Sequence, residues 1–585
     1  MQQPIVPFSP EDVPPSGVFP KCEPVRQRQA TTAEAVLSAF ARRGVCAAFG
    51  IPGGLASPLF DALAETPAIR LVSTRHEGMA AYAAMGSALA TGLPALVMTT
   101  SGPGITNAIT GVAAAHVEGL PMVLLAGEVS AGSASRGAIQ DSTTNGIDAI
   151  AMLRTITRWS ARVDSSAGAV AAVEQAMAMA TGKRPGPVFL SVPVDTGKIP
   201  LFPAPMIVSD PPSPPRADRA ACAEIASLLA GARRPLLVVG NGAREAAAEI
   251  RLLAERLSIP VVTTPHAKGV FPESHRLHLG GIGLGQHPSV NAYLRGGPDV
   301  TLIVGSRLGD YSTNGWTVPL GGSEATIQID HEAWLVGRNY PVTLGLVADA
   351  RQALTGILGA IPRDLDRPAV EVRGIQRTRA EAAYSDAVPL KQPRVLRALQ
   401  QAFPDAIFTA DQGEHCAFAV HYLTIDRPDG FRSMVGLASM GTGFGIAIGL
   451  RHAQRDRPVV CISGDGGFAM HAGEILTCVE HGIDVVLVVM NDGRWNMVHH
   501  GFSAIFGRVP EAFPGRVANL AGVAESFGAI GAVIERPEDL EPRALRALAK
   551  RGRPVLLDVR IDPDDSLSID SRIASVKSYT EGDAR

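Results

Sequence analysis

The stretch Val459-Val460-Cys461-Ile462-Ser463-Gly464-Asp465-Gly466-Gly467-Phe468 sets a run of apolar and β-branched residues directly against a glycine-bounded aspartate. A short, continuously apolar run closed by glycines predicts a buried parallel strand ending in a tight hinge. About one strand-helix-strand unit later the pattern repeats, and Val485-Val486-Leu487-Val488-Val489-Met490 closes on Asn491-Asp492. In a parallel sheet Asp465 and Asp492 then lie at carboxyl ends of strands, the edge where open α/β sheets bind ligands. Gly464, Gly466 and Gly467 let backbone N–H groups approach phosphate oxygens, while hard carboxylate oxygens hold a Mg²⁺ bridging to the same phosphates. Together these features make an apparatus for anchoring a diphosphate. Each alone is equally a glycine turn whose aspartate caps a helix. The framing of both by apolar strands favours the ligand.

At 585 residues the chain exceeds one core, and at roughly 100–200 residues per domain it predicts three to five. A net charge of -3, 5% aromatic residues and no Lys/Arg cluster interleaved with stacking side chains argue against nucleic acid. Cys22, Cys46, Cys222, Cys416, Cys461 and Cys478 lack C-x-x-C spacing. Most sit in apolar runs, where free thiols pack, which predicts a reducing cytoplasm. No apolar run approaches the roughly 20 residues that span a bilayer, so no membrane is expected.

Apolar positions alternate between helical and continuous-strand periods, predicting an α/β fold of three doubly wound, mostly parallel-sheet domains. Residues 31–200 open with an amphipathic helix at Ala33–Phe40. Residues 217–362 carry strands at Pro235–Val239, Pro260–Thr264, Val300–Gly305 and Ala325–Ile329, and residues 392–562 contain the hinge. A proline-rich tail at 1–30, a proline-rich connector at 203–215 and a polar tail at 563–585 complete the expected organisation.

The hinge and the Asn491-Asp492 pair resemble the diphosphate-anchoring signature of thiamine diphosphate enzymes, and from Thr31 to Asp562 the three blocks match that family's order of pyrimidine-binding, central and diphosphate-binding domains. Within the first block, Arg75-His76-Glu77-Gly78-Met79-Ala80-Ala81-Tyr82 is similar to the family's helix whose glutamate hydrogen-bonds the aminopyrimidine ring. Alone, an acidic residue in a first helical turn is explained by the macrodipole. The resemblance assigns Glu77 a catalytic role, because a carboxyl poised between charged and neutral forms can shuttle the proton that turns the ring's amino group into a base. It also implies a homodimer or homotetramer with active sites shared between subunits.

Further positions carry over by the same resemblance. Ser101-Gly102-Pro103-Gly104-Ile105-Thr106-Asn107 resembles a cofactor-adjacent loop that brings Asn107 to the site. Gly436-Leu437-Ala438-Ser439-Met440-Gly441 resembles the segment where Ala438 offers its carbonyl to the aminopyrimidine and Met440 wedges the cofactor into a bent shape. Asp411-Gln412-Gly413-Glu414-His415 resembles a loop reaching the diphosphate through His415, with Glu414 replacing the usual amide. Asp465, Asp492 and the backbone carbonyl of Arg494 are the implied metal ligands. Met497, in Trp495-Asn496-Met497-Val498, adds a cofactor contact of the catabolic acetolactate synthase kind.

Gly50–Gly54, Gln140-Asp141, Thr157–Trp159 and Gly186–Leu190 also resemble acetolactate and acetohydroxyacid synthases, and Gln140 is the implied hydrogen-bonding group near the reacting centre. That branch implies a carboligase or lyase in which a 2-oxo acid, pyruvate by resemblance, loses CO₂ and its acyl-anion equivalent is transferred to a carbonyl acceptor. Tyr311 stands where anabolic members carry an acceptor-binding arginine, and Gly501 where they place a tryptophan. These departures, with His499 and His500, predict a wider, less cationic pocket. A simple 2-oxo acid decarboxylase and a non-catalytic protein retaining the fold stand as alternatives. FAD is left open in the middle block: Gly240-Asn241-Gly242 is generic, and the run Gly443–Gly449 only superficially resembles a dinucleotide fingerprint.

Overall fold

Strands form where the chain is continuously apolar, and every hydrogen-bonded strand pair is parallel. The computed structural model describes residues 29–201 and 217–567, except 364, 366–369, 371, 373 and 512–514. The tail expected before residue 29, the connector at 203–215 and the tail beyond 567 lie outside the described residues. The first sheet contains β1 (Ala47–Gly50), β2 (Arg70–Ser73), β3 (Ala95–Thr99), β4 (Met122–Glu128), β5 (Trp159–Arg162) and β6 (Pro187–Pro193). The second contains β7 (Leu236–Val239), β8 (Val261–Thr263), β9 (His278–Gly281), β10 (Val300–Val304), β11 (Ala325–Asp330) and β12 (Leu344–Val347). The third contains β13 (Ile407–Ala410), β14 (Phe431–Arg432), β15 (Val459–Gly464), β16 (Val486–Asn491), β17 (Ile530–Ile534) and β18 (Val555–Arg560). The fold expected from the sequence is therefore present, with the sheets wholly rather than mostly parallel.

Strand order distinguishes the middle sheet from the outer two. The first runs β2-β1-β3-β4-β6-β5 and the third β14-β13-β15-β16-β18-β17, the same topology used twice. Both reverse direction between their first and third strands, so the crevice at that switch point is the expected ligand position. In the third sheet it lies between β13, followed by Asp411, and β15, followed by Asp465. The middle sheet, β12-β11-β10-β7-β8-β9, switches between β7 and β10. There the two following loops bond to each other, Gly242 N–H donating to the Gly305 carbonyl at 2.9 Å.

The outer sheets are joined by two helices, Glu77–Thr91 and Thr442–Ala453. The first is buried from Glu77 to Ala88, which explains its all-round alanine-rich composition. Glycines let the helices cross with backbones in contact. A Cβ at Gly86 would lie 2.2 Å from the Ile446 carbonyl oxygen, and one at Gly449 would lie 1.8 Å from that of Ala83. The glycine run that mimics a nucleotide fingerprint is thus a helix-packing surface. Gly449→Ala is expected to destabilise the protein by about 1–3 kcal/mol through overpacking, read as a lowered denaturant midpoint at unchanged slope. Among the described residues no helix is long and apolar enough to cross a membrane.

Candidate active site

Asp465 begins the helix Asp465–His471 directly after β15, and its carboxylate accepts from Gly466 N–H and Gly493 N–H, both at 2.7 Å. Asp492, one residue beyond β16, accepts from Arg494 N–H at 2.9 Å and from Asn496 Nδ2 at 2.7 Å. Burial and the charge of neighbouring Asp465 push the Asp492 carboxyl up to about 7, and burial raises Asp465 too. Two half-buried carboxyl groups, the charge of one raising the other, fit a cation. Among the described residues no group of three or more His, Cys, Asp or Glu side chains is gathered to hold a metal. Mg²⁺ fills its shell with water and phosphate oxygens as well as one or two carboxylates, so Asp465 and Asp492 are side chains of the kind that could hold it. Asn491, beside the pair, turns inward and donates to Asp558 at 2.7 Å.

His415 is expected on a loop but lies buried in the helix Glu414–Tyr422. Its ring bonds the Asp411 backbone, burial lowers it to about 4, and Nε2 is buried with no partner. A Cβ on Gly464 would sit 3.1 Å from this ring, so the glycine opens space beside an unsatisfied polar atom. That combination fits an anionic oxygen at the hinge. Glu414 pairs with His500 Nδ1 at 3.0 Å, which raises the His500 imidazole. His500 Nε2 meets the Pro563 carbonyl at 3.1 Å. His499 is half-buried with Nδ1 unpartnered, and Met497 packs half-buried on the third block's core.

Asp411 has a larger part than its motif suggested. It is fully buried, which raises its carboxyl, and it accepts from Gly441 N–H at 2.9 Å and Gly443 N–H at 3.1 Å. It thereby ties the hinge strand's neighbour to the end of the Gly436–Gly441 loop. Within that loop Ala438 adopts φ 57°, the left-handed region disfavoured for a residue with a Cβ, and Met440 is 39% exposed rather than in the core. Ser439 bonds Tyr82, and the Met440 backbone bonds His471.

Glu77 is the first residue of its helix and is 8% exposed. Asn107 Nδ2 donates to its Oε2 at 3.0 Å. Thr100 Oγ1 donates to Gln140 Oε1 at 3.1 Å, and Gly102, at φ 63°, leaves room for the Gln140 side chain. Glu77, Asn107 and Gln140 therefore gather at the carboxyl edge of the first sheet. Gln140 also borders a cleft of about 680 Å³ with Gly102, Pro103, Asp141 and Ile147. Tyr311, from the middle block, packs with Met497 on the third block's core, and its carbonyl accepts from Leu284 N–H at 2.8 Å. Among the described residues no hydrogen bond joins Glu77 or Gln140 to Asp465, Asp492 or His415. The two clusters stay attached through Glu474, whose Oε1 accepts from Arg75 N–H and His76 N–H at 2.9 and 3.0 Å.

Comparison with known proteins follows this geometry. Models of thiamine pyrophosphate enzymes match as the N-terminal TPP binding domain at residues 30–152, the central domain at 222–357 and the C-terminal TPP binding domain at 411–559. A probable acetolactate synthase large subunit of Methanococcus aeolicus is 32% identical, over 92% of this chain and 93% of its own. The acetolactate synthase isozyme 3 large subunit of Escherichia coli K12 is 29% identical, over 91% and 94%. A crystal structure of benzoylformate decarboxylase from Polynucleobacter necessarius superposes with a TM-score of 0.80 at 22% identity, over 92% of this chain and 99% of that one.

Proposed function

We propose, from the premise that this chain belongs to the thiamine pyrophosphate enzymes and is related to acetolactate synthase large subunits, that it decarboxylates a 2-oxo acid, pyruvate in the first instance, and transfers the acyl unit to a carbonyl acceptor. The observation that carries the reading is the pair Asp465 and Asp492 at the carboxyl edge of the third sheet, two half-buried carboxyl groups, with the charge of Asp465 raising Asp492, a repulsion that a divalent cation relieves. Bound thiamine diphosphate supplies the electron sink for decarboxylation. The chain's own residues bind and tune it. Asp465, Asp492 and the Arg494 carbonyl would hold Mg²⁺, which would neutralise the diphosphate, and His415 Nε2 with the backbone of Gly464, Gly466 and Gly467 would bind the diphosphate oxygens. Ala438 and Met440 fix the cofactor's bend, with Met497 beside it. Glu77, oriented by Asn107, holds and moves the proton at the aminopyrimidine. Gln140 points an amide at the reacting centre, and Tyr311, His499 and His500 shape the acceptor pocket.

Because Glu77 and Gln140 occupy a different sheet edge from the hinge, the reading places each site between two copies of the chain. Leu437, Met440, Met470, Trp495 and Val498 are exposed on segments flanking the hinge, an apolar surface that a second copy would cover. Mixed with thiamine diphosphate, Mg²⁺ and pyruvate, the protein is expected to release CO₂ and form acetolactate or a mixed acyloin, identified by product analysis. Acetaldehyde as sole product would turn the reading to a simple decarboxylase, and no CO₂ from any common 2-oxo acid would overturn it.

A further inference from the structure

We propose that Glu118 is a positioning residue for the cofactor: it holds the entrance of the Gly436–Met440 loop and is itself braced by the middle block. The inference rests on the reading of Ala438 and Met440 as cofactor contacts. Glu118 ends the helix Pro103–Glu118 of the first block, 318 residues from Gly436. Its carboxyl group is 4% exposed, accepts from Gly436 N–H at 2.7 Å and meets His266 Nε2 at 3.1 Å. The imidazole and the amide hold this carboxyl below the usual glutamate range despite its burial. A buried carboxylate in that state is a fixed point rather than a swinging surface charge.

The brace comes from loops at the carboxyl edge of the middle sheet, where α/β sheets ordinarily present ligand-binding groups. His266 follows β8, and its carbonyl receives Arg244 NH2 at 2.5 Å. Arg307 follows β10 and donates to the Val117 carbonyl at 2.7 Å, fixing the helical turn that carries Glu118. Here those loops grip the first block. Three blocks therefore meet at one carboxyl group, and the chain it grips leads straight into the strained residue Ala438.

Gln412 Nε2 holds the Met434 carbonyl at 2.9 Å ahead of Gly436, and beyond it Tyr82 bonds Ser439, His471 bonds Met440 and Asp411 bonds Gly441. Gly436 has Glu118 against it so closely that a Cβ there would sit 2.6 Å from Oε1. Releasing this single point lets Ala438 leave the left-handed region, because strain of that kind persists only where its surroundings enforce it. The diphosphate hinge is held independently, by β15, β16 and Asp411.

That separation provides the test. Calorimetric titrations in Mg²⁺ compare thiamine diphosphate, which engages loop and hinge, with inorganic diphosphate, which engages the hinge alone. In Glu118→Ala the dissociation constant for thiamine diphosphate is expected to rise about tenfold, while that for inorganic diphosphate stays within about twofold. Glu118→Gln keeps an acceptor for Gly436 and is expected to restore affinity to within about threefold of the parent. His266→Gln weakens thiamine diphosphate about threefold and does so non-additively with Glu118→Gln. Should Glu118→Ala fail to fold, Glu118→Asp carries the same test, since its carboxyl is withdrawn from Gly436 by one methylene. Equal weakening of both ligands, or of neither, overturns the proposal. Asp465→Ala is the control: if it loses both ligands while the Glu118 variants bind normally, only this inference falls, and if it binds both normally the underlying reading falls.

Discussion

Asp465→Ala lowers the affinity for thiamine diphosphate in Mg²⁺ by about 10³-fold, the scale expected when one partner of a buried charged assembly is removed. The variant deletes the carboxylate that begins the hinge helix and leaves Asp492 as the remaining charged group of the proposed metal site. In the parent protein the Asp492 carboxyl is pushed up to about 7, with burial the larger cause and Asp465 the next. Between the ordinary aspartate range and about 7 the folded apoprotein keeps a proton on Asp492 that the unfolded chain has released. Raising pH through that window therefore removes stability from the apoprotein. A bound cation favours the ionised form and expels the proton, so affinity for Mg²⁺ and cofactor rises with pH up to about 7 and levels off above it. Titrations at pH 6 in two buffers of different ionisation enthalpy should show proton release in the parent protein. Binding within a few-fold of the parent in a folded Asp465→Ala variant would remove the hinge from the site.

The hinge was legible because continuous burial leaves a direct mark on composition: β15 and β16 are apolar along nearly their whole length, and what breaks the run must have another reason to be there. Strand ends were less legible. The strands expected from Pro235 and Pro260 begin at Leu236 and Val261, since proline has no N–H to give the ladder. The resemblance of Asp411–His415 to a loop hides the helix that begins at Glu414, since a nine-residue helix buried around its whole circumference shows no amphipathic period. Pairings across long separations left no trace at all. Glu414 and His500 stand 86 residues apart, and Glu118 and Gly436 stand 318 apart, so neither pair has a local spacing to betray it. Asp411 was visible as part of a motif, but its grip on Gly441 and Gly443 exists only once β13 lies beside β15. Local patterns thus reported which segments carry chemistry, while the groups that hold those segments in place emerged from topology.

Glu77→Gln separates binding from turnover more sharply than any other change. Glutamine keeps an oxygen to accept from Asn107 Nδ2 and nearly the same volume, so the helix start and its burial survive. The lost charge at a helix N-terminus costs about 0.3–1 kcal/mol, too little to unfold a domain. What the amide cannot do is take up and return a proton. If Glu77 relays the proton that readies the aminopyrimidine, kcat falls by about 10²–10⁴-fold, the usual worth of a positioned acid–base group. Affinity for thiamine diphosphate should change by less than about tenfold, the equivalent of one lost hydrogen bond. The decisive measurement is exchange of the cofactor's acidic ring proton with D₂O in the bound state, which needs no substrate and so is independent of which 2-oxo acid the protein uses. Slowed exchange with retained binding places Glu77 at the proton step. Exchange at the parental rate in a variant that binds normally would leave the Glu77 carboxyl only as a partner of Asn107 in the first turn of its helix.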